Sequence, residues 1–303
     1  MATVLTENRH CAGFLVSEEE NFYSRAKVVV TGSATTAGMV VGRLLASQAL
    51  VVAGSNTGNG VFTMDASTPL LTGVQEGAYK VTFIEPAANA GVFEVEAPDG
   101  RSLGTAAVAA TFANQIKFVI ADGSADFVSG DTFLVYVRSG SIAAGANTGN
   151  GAATLYQTME GAQVGAYSLV CTAAATNAGT FSLTSPDGTV MAPLTVGTRY
   201  TKAGLDLLIA DGSTDFVVGD TFTVTVTRGK VKAWDPSNAD GSDVAFGVLW
   251  DGYDASSADV KGNAIVRQAV VNSKELTWKA GLDASQQATG RTQLTFGRGV
   301  LSR

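Results

Sequence analysis

Through the middle of the chain, apolar and polar residues alternate one by one. In "VFEVE", Phe93 and Val95 alternate with Glu94 and Glu96. In "TFSLT", Phe181 and Leu183 alternate with Ser182 and Thr184. In "TFTVTV", Phe222, Val224 and Val226 share one face and threonines take the other. A period of two describes half-buried antiparallel strands. The first two runs are each followed by "PDG", at 98–100 and 186–188. This is a turn with a mechanism: Pro presets φ, Asp bonds its own backbone and Gly accepts a positive φ. Near the ends, short apolar runs at 26–45, 243–255 and 263–272 predict further strands. Helix signals occur only near the C-terminus. Asn272 with Glu275, and Asp283 with Gln286, have the capping-box spacing and predict short helices. The second, over about 284–294, contains Gly290 and is expected to be weak.

The alternating stretches belong to a repeat. "IADGSADFVSGDTF" at 120–133 returns as "IADGSTDFVVGDTF" at 209–222. "AGSNTGNG" at 53–60 returns as "AGANTGNG" at 144–151, and "GAYKV" at 77–81 as "GAYSL" at 165–169. "NAGVFEVEAPDG" at 89–100 returns as "NAGTFSLTSPDG" at 177–188. The order is kept, so two related units occupy 53–138 and 144–227. Short strands divided by turn signals, in units of this size, predict small β-sandwiches of immunoglobulin-like type. The small, polar stretches at 46–54 and 138–149 read as linkers.

Composition supports a β-rich chain. Apolar residues make up 46% of the 303, enough for a sizeable core, while 35 glycines and only 16% charged residues disfavour long helices. Charge is unevenly spread: residues 53–226 carry 15 acidic and 6 basic side chains, net −9, whereas the whole chain is −7, leaving +2 at the ends. An acidic balance argues against nucleic acid as a partner. No apolar run is long enough to predict a membrane span, and the first residues do not read as a signal peptide. Cys11 and Cys171 read as free thiols, fitting synthesis in a reducing compartment.

Candidate chemistry is sparse. The one histidine, His10, has no assignable base-orienting partner, which disfavours a hydrolase. No cofactor motif is found. Asp122, Asp126 and Asp131, with their counterparts Asp211, Asp215 and Asp220, invite a calcium reading, but the spacing fails the EF-hand pattern. Turns in which aspartate bonds local amides are expected instead. Trp250 and Trp278 are candidate subunit contacts, with core packing as the alternative.

The two ends carry a resemblance. "CAGFLVSEEENFYSRAKVVVTGSATTAGMVVGRL", "NADGSDVAFGVLWDGYDASSADVKGNAIVRQAVVNSKELTW" and the closing "GRGVLSR" resemble, in that order, bacteriophage head decoration proteins of the lambda D type. The match covers roughly 10–45 and 228–303. The resemblance implies a mainly β chain: a β-clip-like decoration domain with short C-terminal helices, split between 24–52 and 228–303 and interrupted by the two tandem sandwiches. It further implies a homotrimer at three-fold positions on the outer surface of an expanded head, binding the major capsid protein and stabilising the shell. Residues 1–23 would then be a capsid-binding arm, with Phe14, Leu15, Val16, Phe22 and Tyr23 as its apolar contacts. Such an arm adds as a strand to a coat-protein sheet, or else folds back on its own domain. The alternative function is surface adhesion, with the sandwiches binding host-surface glycans. Neither reading requires an enzyme, a metal or a membrane.

Overall fold

The computed structural model describes residues 9–19 and 23–303. The chain opens with β1 (Leu15–Glu18), β2 (Arg25–Val30) and β3 (Val40–Arg43). Eight strands follow: β4 (Gln48–Ala53), β5 (Phe62–Met64), β6 (Gly77–Ala87), β7 (Ala90–Glu96), β8 (Ser102–Ala107), β9 (Thr111–Asn114), β10 (Ile116–Ile120) and β11 (Thr132–Arg138). Eight more are β12 (Gly140–Ala144), β13 (Ala153–Thr158), β14 (Gly165–Ala175), β15 (Ala178–Thr184), β16 (Leu194–Thr195), β17 (Tyr200–Lys202), β18 (Leu205–Ile209) and β19 (Thr221–Val226). The chain closes with β20 (Val231–Ala233), β21 (Ala245–Leu249), β22 (Val260–Ile265), β23 (Ala269–Val271), the helix α1 (Ala284–Arg298) and β24 (Val300–Ser302). Two compact units result, one from the chain up to Leu44 together with Gly229–Arg303, the other from Leu45–Arg228.

The terminal unit is built on a closed barrel in the order β2-β20-β3-β21-β22. Closure removes the free edges that a small sheet would otherwise expose. Val28, Val30, Val41, Val231, Leu249 and Ala264 fill one core cluster. A second gathers Phe14, Val40, Trp234, Val248, Ile265, Leu294 and Val300. The chain leaves and re-enters this unit at hydrogen-bonded neighbours: Leu44 N–H donates to Lys230 O, and Gly229 N–H to Leu44 O.

One helix forms among the described residues, not two. At α1 the capping box is realised: Asp283 accepts from Gln286 N–H, and the Gln286 side chain accepts from Asp283 N–H. Gly290 does not cut the helix short. A methyl group there would lie 2.6 Å from the Trp278 ring, so glycine is what lets the helix approach that indole. The Asn272 signal closes only a turn, with Asn272 Oδ1 accepting from Lys274 N–H and Glu275 N–H donating to Asn272 O. Val271 is held in β23, and Thr277 bridges Met39, so both flanks of the short segment stay extended.

In the middle unit, both halves pair their eight strands identically. The first half forms sheets β4-β11-β6-β7-β8 and β5-β10-β9, and the second forms β12-β19-β14-β15-β16 and β13-β18-β17. Each pair of sheets encloses one core, with Tyr79, Phe93, Phe118 and Val135 in the first and Tyr167, Phe181, Leu207 and Val224 in the second. Lettering each half A to H gives A-H-C-D-E over B-G-F, which differs from the ABED and CFG sheets of the immunoglobulin constant type. The expected linkers are strands. β4 pairs with β11 from Ala53↔Phe133 to Gln48↔Arg138, and β12 pairs with β19 from Gly140↔Val226 to Ala144↔Phe222. Residues 45–52 therefore belong to the middle unit rather than to the split domain. β12 is the outermost strand of its sheet and is built mainly of Gly, Ser and Ala, which is why it resembled a linker, whereas β4 carries Leu50, Val51 and Val52.

Candidate functional site

The doubled aspartate loops are joints between loops. Asp131 accepts three backbone N–H bonds, from Thr57 (2.9 Å), Gly58 (2.9 Å) and Val128 (3.1 Å). Asp220 repeats this with Thr148 (2.8 Å), Gly149 (2.9 Å) and Val217 (3.0 Å). Only Val128 and Val217 are local. The other donors come from the "NTGN" loops, a correction to the expectation of purely local bonds. Asn59 Oδ1 returns a bond from Ala125 N–H, and Asn150 Oδ1 one from Thr214 N–H. Asp126 and Asp215 cap the hairpin tips at Asn89 N–H and Asn177 N–H. Gly58 and Gly149 are required by close approach, since a methyl group at either would lie within 2.6 Å of the ring of Phe127 or Phe216. Three N–H dipoles aimed at each central carboxylate repel a cation from it. Among the described residues no group of three His, Cys, Asp or Glu side chains is arranged to hold a metal ion.

The two sandwiches meet at a polar seam that sequence reasoning missed. Arg228 Nε donates to Glu76 Oε2 (2.6 Å), and Thr158 Oγ1 to Glu76 Oε1 (2.7 Å). Arg199 forms a fork onto Asp206 (2.6 and 2.7 Å) and lies 4.2 Å over the Tyr156 ring, which meets Tyr136 edge-on. Glu76 and Arg228 are largely buried, so removing Glu76 strands the Arg228 guanidinium. Glu76→Ala is expected to lower the unfolding free energy of the middle unit by about 2 kcal/mol. Chaotrope unfolding followed by far-ultraviolet circular dichroism measures it, and an unmoved midpoint would show that the seam does not hold the halves.

The N-terminal segment is bound to its own unit from Arg9 onward. Arg9 pairs with Glu275 (2.9 Å), and Ala12 N–H donates to Trp250 O. Phe14 is buried in the core at 2% exposure, and Leu15 pairs with Val271 in a sheet ordered β1-β23-β24. These two residues therefore pack at home, contrary to their expected place on a coat-protein sheet. The physical reason is the apolar niche beside Gly38, Val40 and Leu276, which the Phe14 ring fills. Val16 and Tyr23 remain exposed, at 61% and 57%. Phe22 lies outside the described residues.

Trp278 packs edge-on against Trp234 (5.5 Å between centroids), whose Nε1 donates to Asp243 O. Trp250 is half-buried beneath Arg25 (3.8 Å). Both indoles thus contribute to packing within the unit. Desolvation and the nearby Asp251 carboxylate push the Cys11 thiol up, opposite to the shift that activates a nucleophilic cysteine. Among the described residues no helix is long and apolar enough to cross a membrane.

A family model described as bacteriophage lambda head decoration protein D matches residues 4–297. The chain belongs to that family. It is a phage head decoration protein, and its place is the virion capsid. No curated protein matches it. Among solved structures, FlgL of Xanthomonas campestris is 20% identical with a TM-score of 0.23, over 32% of this chain and 31% of FlgL. A second crystal form of FlgL gives 33% and 32% at the same identity and score. The flagellar hook junction protein FlgK from Burkholderia pseudomallei is 13% identical with a TM-score of 0.22, over 71% of this chain and 43% of FlgK. The chain spans about a third of FlgL and under half of FlgK. At these scores neither likeness carries an argument. The segments that resemble the lambda D type lie on the terminal unit.

Proposed function

We propose that this head decoration protein binds the outer surface of the expanded head as a homotrimer at three-fold positions. There it contacts the major capsid protein and stabilises the shell, without cofactor or catalysis. The observation that carries this reading is the terminal unit itself. Two chain ends separated by 184 residues, Leu45–Arg228, close one barrel, and the family-like segments lie on those ends. The exposed Val16 and Tyr23, beside a packed Phe14, are the apolar groups of the arm left for the coat. The acidic middle segment forms a self-repelling outer layer that keeps particles apart. Purified protein mixed with undecorated expanded heads is expected to co-sediment with them and raise their heat resistance. Absence of co-sedimentation would overturn the reading, and analytical ultracentrifugation tests the trimer.

Glycan adhesion has weaker support. The large apolar residues exposed on the described middle unit are Val61, Ile84, Val128, Val190, Val217 and Val218, with no aromatic face among them to stack on a sugar ring.

A further inference from the structure

On the barrel, β2 and β22 run antiparallel with Arg25 opposite Ile265, Lys27 opposite Asn263 and Val29 opposite Lys261. Alternation sends Val28, Val30 and Ala264 into the core. Lys27, Lys261 and Asn263 are left exposed, with Arg25 and Val29 half-buried beside them. Two hollows of about 450 and 330 Å³ lie along this face. Both are lined by Lys27 and Asn263, so they join into one groove running from Trp250 to Lys261.

The chemistry of the groove is directional. At one end Arg25 lies over the Trp250 ring and pairs with Glu18. This leaves a flat, half-buried aromatic and guanidinium platform, the residue types that most often anchor interfaces. At the other end, Lys27 and Lys261 make no ion pair among the described residues. Two like charges on adjacent strands repel until an anion lies between them. The stretch from Arg25 to Val29 spans about 13 Å, the length of about four extended residues. A nucleic acid backbone is disfavoured as occupant, because it needs a broader basic face than two lysines and a neutralised arginine on a chain of net charge −7.

We infer that the groove along β2 and β22 takes an extended acidic segment of the major capsid protein, an inference that rests on the capsid-binding reading. The lysines steer the segment and the Trp250–Arg25 platform seats its apolar part.

The test uses the full chain and undecorated expanded heads. The double variant Lys27→Glu with Lys261→Glu is expected to bind at least about tenfold more weakly than the wild type. The wild type should also lose affinity as salt rises, more steeply than the double variant. Lys27→Gln with Lys261→Gln should fall between. The thermal midpoint read by tryptophan fluorescence should be unchanged, because both side chains are exposed. If the wild type binds heads and the folded charge-reversed variant binds equally well, the groove assignment is overturned while capsid binding stands. If the wild type does not bind heads, the capsid reading falls and the assignment falls with it. Binding of the wild type to a short DNA duplex, lost in the variant, would assign the groove to phosphates and overturn the acidic-peptide assignment.

Discussion

Replacing Phe14 with alanine is expected to destabilise the terminal unit by about 3–5 kcal/mol. The ring is 2% exposed and packs in the cluster with Val40, Trp234, Val271 and Leu276. Its removal forfeits the transfer free energy of an aromatic side chain and leaves a cavity that β1 and β23, fixed by their pairing, cannot close. All three tryptophans, Trp234, Trp250 and Trp278, lie in this unit, so tryptophan fluorescence during chaotrope unfolding reports it alone. The loss should be seen in free protein, with no capsid present. A residue whose work is to pair with a coat sheet would leave that midpoint unmoved and change only head binding. An unchanged fluorescence midpoint for Phe14→Ala would therefore return Phe14 to the arm. Val16→Ala is the control: at 61% exposure its effect on stability is expected within about 0.5 kcal/mol.

This contrast shows what was legible in the sequence. "AGFLV" reads as a short apolar patch in a polar arm, and sequence spacing left two destinations open for it. What decides is a niche in which Val40 of the barrel meets Val271 and Leu276, more than 200 residues further along the chain. Strand alternation at Phe93 and Val95, or Phe181 and Leu183, was legible because period two is imposed by the strand itself. The cap at Asp283 was legible for the same reason, being local chemistry within four residues. The identical cap spacing at Asn272 failed because its flanks are claimed by strand pairing, which no local signal records. β12 was misread because an outermost strand with one partner tolerates a small-residue composition that elsewhere marks a linker.

The seam was invisible for a different reason. Glu76 and Arg228 are 152 positions apart, and Tyr136, Tyr156 and Arg199 belong to different halves, so no spacing links them. The loop joints, in contrast, did leave a signal. "NTGN" and "GD" recur together at nearly constant offset, as expected of two segments that bond each other rather than of two separate sites. Asn56 and Asn147, which accept from Thr132 and Thr221 N–H at 2.7 Å, are part of the same bonded set.

Removing either central carboxylate, Asp131→Ala or Asp220→Ala, is expected to cost the middle unit about 3–4 kcal/mol. Each aspartate is under a tenth exposed, and each substitution leaves three backbone N–H groups facing the methyl group that replaces the carboxylate. A charged acceptor contributes about 1.5–3 kcal/mol per bond, but three bonds sharing one group are not additive. Asparagine offers one oxygen and turns an N–H₂ donor towards the other amides, so Asp220→Asn should recover only part of the loss. Far-ultraviolet circular dichroism should record the drop while the tryptophan signal stays in place, because the middle unit has no tryptophan. Acidity should act through the same groups. Burial alone would raise these carboxyls, but the three N–H bonds outweigh it and hold both below the usual carboxylate range. A folded pKa below the unfolded value of about 3.9 gives stability that is complete above that pH and lost as pH falls beneath it. The wild-type middle unit should therefore weaken as pH falls below about 4. The doubly substituted Asp131→Ala and Asp220→Ala chain should show a shallower acid slope from its lower starting point. An acid slope equal to that of the wild type would mean that these carboxylates are not held as the loop geometry requires.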